Sequence, residues 1–247
     1  MSQNSISGSG VKIQGLGRRG PGISHAEAIA HHRNTHSKLG LGQADHLEKY
    51  ILYYFQEALR PDGTTLSDFP WDMSALEWFR EADYWDNFQQ WLASAPSGQE
   101  VMVDEARFLD RESCFLLPYE ERIIVDDRSH DGVVHLVRLL AFCVDASNDA
   151  GVDQALTGTR EITTHFGTAL RKLVVNRVTE ATCLATGKIP MSPVDVIQII
   201  AVDEEAFDST SDLVRSFSTA EIATAERRAF SAERTVNLIA EQVVFIS

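Results

Sequence analysis

The chain has little cysteine, little positive charge and no long apolar run, and each shortage removes a class of function. Its three cysteines, Cys114, Cys143 and Cys183, are odd in number and widely spaced over 247 residues. They make neither a disulfide framework nor a paired-cysteine metal knuckle. Each sits among apolar neighbours, as small buried hydrophobes do, which points to a reducing, cytoplasmic compartment. Lys and Arg total 22 against 36 Asp and Glu, a formal net charge of −14. So acidic a chain, in both halves, argues against nucleic-acid and membrane-surface partners. Nothing approaches the roughly 18 unbroken apolar residues of a membrane span, and the polar MSQNSISGSG start has no apolar signal region. The glycines at 15, 17, 20 and 22 make no Gly-Lys-Ser/Thr phosphate loop. No GxSxG or Cys–His nucleophile pattern occurs.

What is present is a patterned α+β chain, 44% hydrophobic. Its length allows one or two domains. VKIQGLG (11–17) reads as a strand and RRGPG (18–22) as a turn. A helix is expected over 24–38, opened by a Ser24/Glu27 capping box. KYILYYFQEAL (49–59) and MSALEWF (73–79) read as strands. A second helix covers 81–95, with Tyr84, Trp85, Phe88, Trp91 and Leu92 on one face and Pro96, Ser97 and Gly98 ending it. A short segment at 103–110 leads to a fourth strand at 114–125. The pattern then restarts, with strands at 133–144, 170–181, 194–202 and 236–246. Partly helical stretches fall at 149–167 and 204–232.

Each half therefore reads strand, helix, strand, strand, helix, strand, the ferredoxin-like β-α-β-β-α-β unit. The expected fold is α+β, with two such halves, 1–128 and 129–247, closing one intrachain barrel. Residues 107–124 also run alongside 228–246, with Phe108 against Phe230 and Glu121 against Glu241, as in a divergent duplication.

Four of the eight histidines fall in SHAEAIAHHRNTH (24–36). On a helical wheel of about 100° per residue, His25, Ile29, His32, His36 and Leu39 share one face. His31 points elsewhere, with Glu27 and Lys38. Imidazoles on a face that packs must find partners. Three uses are open: structural hydrogen bonding, acid–base catalysis near neutral pH, and metal binding by the i, i+4 pair His32 and His36. Arg33 follows His32 where a HExxH motif would have Glu, so no metal site is assigned. Tyr50, Leu52 and Tyr54 share one face of the 49–59 strand; Ile51, Tyr53 and Phe55 share the other. One set should line the barrel, with Trp78 a candidate to join it. Glu77 lies inside an apolar strand. Arg18 and Arg19 stand where a substrate carboxylate could be met.

Three of these stretches resemble a known family. RRGPGIS (18–24) before a helix ending at His36, WDMSALEWF (71–79), and DEARFLD (104–110) occur in the order and at the spacing of the EthD domain. The resemblance covers roughly 11–125. It implies the dimeric α/β-barrel fold, here fused in tandem, with the site in the first half. The second half lacks the leading turn, the Asp-led strand and a convincing counterpart of His36; His165 is the one candidate, at a different distance from the next strand.

By that analogy related proteins act on polyketides as decarboxylases or dehydratases, serve as accessory proteins in ether degradation, or belong with cofactor-free monooxygenases and haem proteins. The expectation drawn is a cofactor-independent lyase for an aromatic or polyketide-like small acid. His36 would be its acid–base group and His32 the partner. Tyr54, Trp78, Glu77, Phe108 and Arg19 would contact substrate. The alternatives kept are a non-catalytic binding protein and a monooxygenase. The chain would be a pseudo-dimeric monomer or a homodimer.

Overall fold

The structure is a computed structural model that describes residues 10–81, 83–127, 132–141, 158–219, 222 and 230–246. The expected segments at 1–9, 142–157 and 223–229, with Cys143, lie outside these.

Among the described residues ten strands form one antiparallel sheet. They are β1 (Lys12–Gly17), β2 (Leu47–Leu59), β3 (Met73–Phe79), β4 (Phe115–Asp126), β5 (Val133–Leu140), β6 (Leu170–Val178), β7 (Thr182–Cys183), β8 (Gly187–Lys188), β9 (Val196–Asp203) and β10 (Val236–Ile246). Their order is β1-β3-β2-β10-β5-β9-β6-β4-β7-β8, and an added β1–β4 pairing closes the first eight into a barrel. Within the N-terminal half the strands lie 4-1-3-2. Within the C-terminal half β10-β5-β9-β6 repeats that order. The halves join at their edges, β2 to β10 and β4 to β6. Closure leaves these edges no unpaired backbone. β4 and β10, whose sequences align, hold equivalent places.

β2 shows why strand faces were hard to assign from sequence. Tyr50, Leu52 and Tyr54 are buried under the helices, and Ile51, Tyr53 and Phe55 are buried in the lumen. A strand covered on both faces needs no polar alternation.

The helices lie outside the barrel. α1 (His25–His31) begins with the expected capping box, Ser24 N–H donating to Glu27 (2.9 Å) and Glu27 N–H to the Ser24 hydroxyl (3.3 Å). Pro21 and Gly22 form the turn before it. The Ile23 N–H closes on the Gly20 carbonyl at 3.2 Å, and Gly22 takes φ +83°, as a type II turn requires.

The helix expected to run unbroken to Lys38 does not. A π-turn occupies His32–His36 before α2 (Ser37–Gly40) resumes. α3 (Tyr84–Ser94) falls within its expected span. Pro96, Ser97 and Gly98 do not end the helical region but start α4 (Pro96–Phe108), which replaces the short segment expected at 103–110. Proline suits a first helical turn, where its missing N–H costs nothing. Gly98 lets α4 press on α3: a Cβ there would stand 2.2 Å from the Trp91 carbonyl oxygen.

In the C-terminal half α5 (158–166) and α6 (Thr210–Ser216) cover the sheet. β6 ends at Val178 rather than 181, and the small β7–β8 hairpin follows it. Among the described residues no helix is long and apolar enough to cross a membrane.

Candidate functional site

Between the outer face of β1–β3–β2 and helices α1–α4 lies a cavity of about 100 Å³. Gly15, Gly17, Met73 and Ala75 line the sheet side. Phe88, Trp91, Leu92 and Val101 line the helix side. Its polar groups are His32, His36, Gln43, Tyr50, Glu77 and Glu105, and no lysine or arginine is among its lining residues.

The π-turn arranges the histidines. Its i→i+5 geometry carries His31 and His36 to the same carboxylate. His31 Nε2–H donates to Asp104 Oδ1 at 2.9 Å, and His36 Nδ1–H to Asp104 Oδ2 at 3.0 Å. The wheel had turned His31 away because it assumed uniform α-helix. With Nδ1 engaged, the neutral His36 presents the Nε2 lone pair, the arrangement by which a carboxylate fixes a catalytic imidazole. Burial, helped by His31, lowers the His36 pKa below its ordinary value, although Asp104 opposes this. His32 is buried and meets the Tyr54 hydroxyl at 3.1 Å. Burial, with His36 and His31 adding to it, holds its pKa well below the usual range, so it stays neutral. The His32 and His36 rings are 5.1 Å apart.

The two carboxyls shift the opposite way. Burial, with Glu105 nearby, pushes Glu77 up to about 7. Burial also pushes Glu105 up to about 7; Arg111 opposes this and Asp104 adds to it. Near neutral pH the cavity therefore holds an unprotonated imidazole and carboxyls that keep much of their protons. Separated acid and base roles of this kind mark catalytic pairs.

The other sequence candidates are dispersed. Phe108 packs its ring 5.2 Å from His36 and 4.6 Å from His31. Tyr54 lies behind His32, with the Arg33 guanidinium 4.6 Å over its ring. Trp78 is on the opposite face of the sheet, in the barrel lumen. Arg19 is paired with Asp68 and Asp72. His25 supports that corner, with Nδ1 2.6 Å from Asp72 and Nε2 2.8 Å from the Phe55 carbonyl. Burial would raise the Asp72 carboxyl, but His25 and Arg19 outweigh it and hold it below its ordinary value. His46 meets Glu81 at the surface.

Sequence reasoning missed Asp104, Glu105 and Gln43 as site residues; it named Tyr50 only as a member of one strand face. Asp104 had a signal: it stands four residues before Phe108 on one helix, so both reach the histidines. Among the described residues no three His, Cys, Asp or Glu side chains are grouped to hold a metal ion.

The corresponding face of the C-terminal half carries an apolar cluster among the described residues. Ile162, Phe166, Leu213, Val214 and Phe217 pack on it. Arg138 donates to Gln198 (2.6 Å) and Asn237 (3.0 Å) beneath them. His165 is exposed, on the outer side of α5.

Comparison with known proteins agrees with this division. The EthD domain family model matches residues 20–112. No curated protein matches the chain in sequence. Among solved structures, an anthrone oxidase-like protein superposes with a TM-score of 0.59 at 10% identity, covering 97% of this chain and 95% of its own. A mutant chlorite dismutase from Candidatus Nitrospira defluvii gives 0.50 at 12% identity, covering 96% and 93%. Identities this low establish shared fold alone. Residues 20–112 thus match the EthD domain model, and they lie in the N-terminal half of an eight-stranded barrel that one polypeptide closes from two halves of like strand order.

Proposed function

We propose that the protein is a lyase that acts on a small aromatic or polyketide-like molecule by acid–base catalysis in the N-terminal cavity. Each half is read as a ferredoxin-like unit, on the strength of its 4-1-3-2 strand order, and the first half carries the chemistry. The observation that bears most weight is the Asp104-held His36 sharing an apolar cavity with two carboxyls raised to about 7.

Dehydration fits this set better than decarboxylation. His36 Nε2 removes a proton beside a carbonyl. Glu77 or Glu105 then delivers a proton to the departing hydroxyl, and water leaves. A substrate carboxylate, by contrast, would meet two carboxyls and no lining cation. At about 100 Å³ the cavity is below the roughly 150 Å³ that takes up benzene, so a ring bound beside His36 requires the α3–α4 wall to give.

A second reading, prompted by the anthrone oxidase-like neighbour, keeps the same base. His36 would form a stabilised carbanion that dioxygen then attacks. The test is incubation with a panel of aryl β-hydroxy ketones and hydroxybenzoates, with mass spectrometry for loss of water or carbon dioxide and an oxygen electrode alongside. Turnover lost in His36→Ala, and in Gly15→Val, which fills the cavity from a strand position where a Cβ meets nothing closer than 3.7 Å, supports the lyase. Unchanged turnover in a folded His36→Ala variant refutes it. Oxygen uptake without water or carbon dioxide release selects the second reading.

A further inference from the structure

The barrel encloses a larger cavity that this chemistry does not use. It measures about 740 Å³, within the range of roughly 300–1,000 Å³ for small-molecule sites. It lies in the lumen, across the sheet from His36. Ile51, Leu76, Trp78, Val174 and Ile199 form its apolar wall. Its charged groups are Lys12, Lys49 and Lys172 with Glu48, Glu121 and Asp126, and His135 also lines it.

These charges are not matched evenly with depth. Lys12 is paired with Glu121 at 2.7 Å. Glu48 and Asp126 are exposed at the rim. Lys49 lies 5.0 Å over the Trp78 ring, and Lys172 is buried. Among the described residues neither ammonium has a hydrogen bond or ion pair. Burial and the neighbouring Lys49 depress the Lys172 pKa, with Asp126 and Glu121 opposing. Tyr53 is fully buried in the same lining, and its hydroxyl has no hydrogen-bond partner among the described residues. Lys172, Ala201 and His135 sit at one level of the barrel, and the His135 ring meets Tyr53 at 6.1 Å. Two ammonium groups and a hydroxyl without partners, beside an indole and aliphatic wall, form a site for charge joined to a flat apolar body.

We propose that the lumen is a second binding site, for a small aromatic carboxylate whose carboxylate is held by Lys172 and the Tyr53 hydroxyl and whose ring lies against Trp78. It holds one negative charge, because the rim carboxylate of Asp126, cross-strand from Lys172, offsets part of the ammonium charge.

The test is isothermal titration with 2-naphthoate and its neutral amide, on the wild type and on Lys172→Met, Tyr53→Phe and Gly15→Val. Circular dichroism checks each fold. The expected result is one equivalent of naphthoate bound and the amide bound far more weakly. Lys172→Met should weaken naphthoate roughly tenfold or more and Tyr53→Phe severalfold, the scale of lost charge-assisted and neutral hydrogen bonds. Gly15→Val, on the other face, should bind as the wild type does. No binding, equal binding of the amide, or binding lost in Gly15→Val and kept in Lys172→Met would overturn the proposal. The lyase reading stands or falls separately, on His36→Ala turnover.

Discussion

Replacing Glu77 by Gln tests the electrostatics of the N-terminal cavity without requiring a substrate. The Glu77 carboxyl titrates near 4.5 when unfolded and at about 7 in the folded chain. Between those values the folded state binds more protons than the unfolded state, so stability falls as pH rises through the window and is level above it. The gap corresponds to about 3 kcal/mol at about 1.36 kcal/mol per pH unit. Part of the side chain reaches the cavity surface, and water there would trim this to about 2 kcal/mol.

Gln keeps the shape and removes the titration. Urea denaturation of both proteins at pH 5 and pH 8, followed by tryptophan fluorescence, reads the effect. The wild type should lose about 2–3 kcal/mol more than Glu77→Gln between the two pH values. The remaining titrating groups are shared, so the difference reports Glu77 together with its coupling to Glu105. Parallel pH dependence of the two proteins would show that Glu77 ionises as if in water, and the assignment of a protonated acid to this cavity would fail.

Three further outcomes are expected. Asp104→Asn should lower turnover at least about 10²-fold, because an amide no longer fixes the His36 tautomer; unchanged kcat with a raised KM would assign Asp104 to binding instead. The pH profile of kcat/KM should be bell-shaped, rising below pH 6.5 as His36 loses its proton and falling near 7 as the carboxyls lose theirs; a flat profile from pH 5 to 8 contradicts both roles. Gly98→Ala should destabilise by about 1–3 kcal/mol through overpacking, since its Cβ would stand 2.2 Å from the Trp91 oxygen and 2.8 Å from Leu92 Cα; an unchanged denaturation midpoint would mean that α3 and α4 separate freely.

The sequence by itself determined the strands, because their β-rich runs and the turns between them are local properties. MSALEWF became β3 at its expected bounds, and VNLIAEQVVFI became β10. The Ser24 capping box and the Pro21–Gly22 turn were equally local. The repeated element order was also enough to suggest two matched halves. The tertiary structure alone decided which face of each strand meets which neighbour. β2 is apolar on both sides, so nothing in its pattern separates the lumen face of Tyr53 from the helix face of Tyr54. Trp78 and Glu77, adjacent in sequence, fall into different cavities for the same reason. The π-turn was likewise invisible to a wheel of fixed period. It depends on contacts distant in sequence, Asp104 on α4 and Tyr54 on β2, which settle where His31, His32 and His36 can satisfy their ring nitrogens once buried.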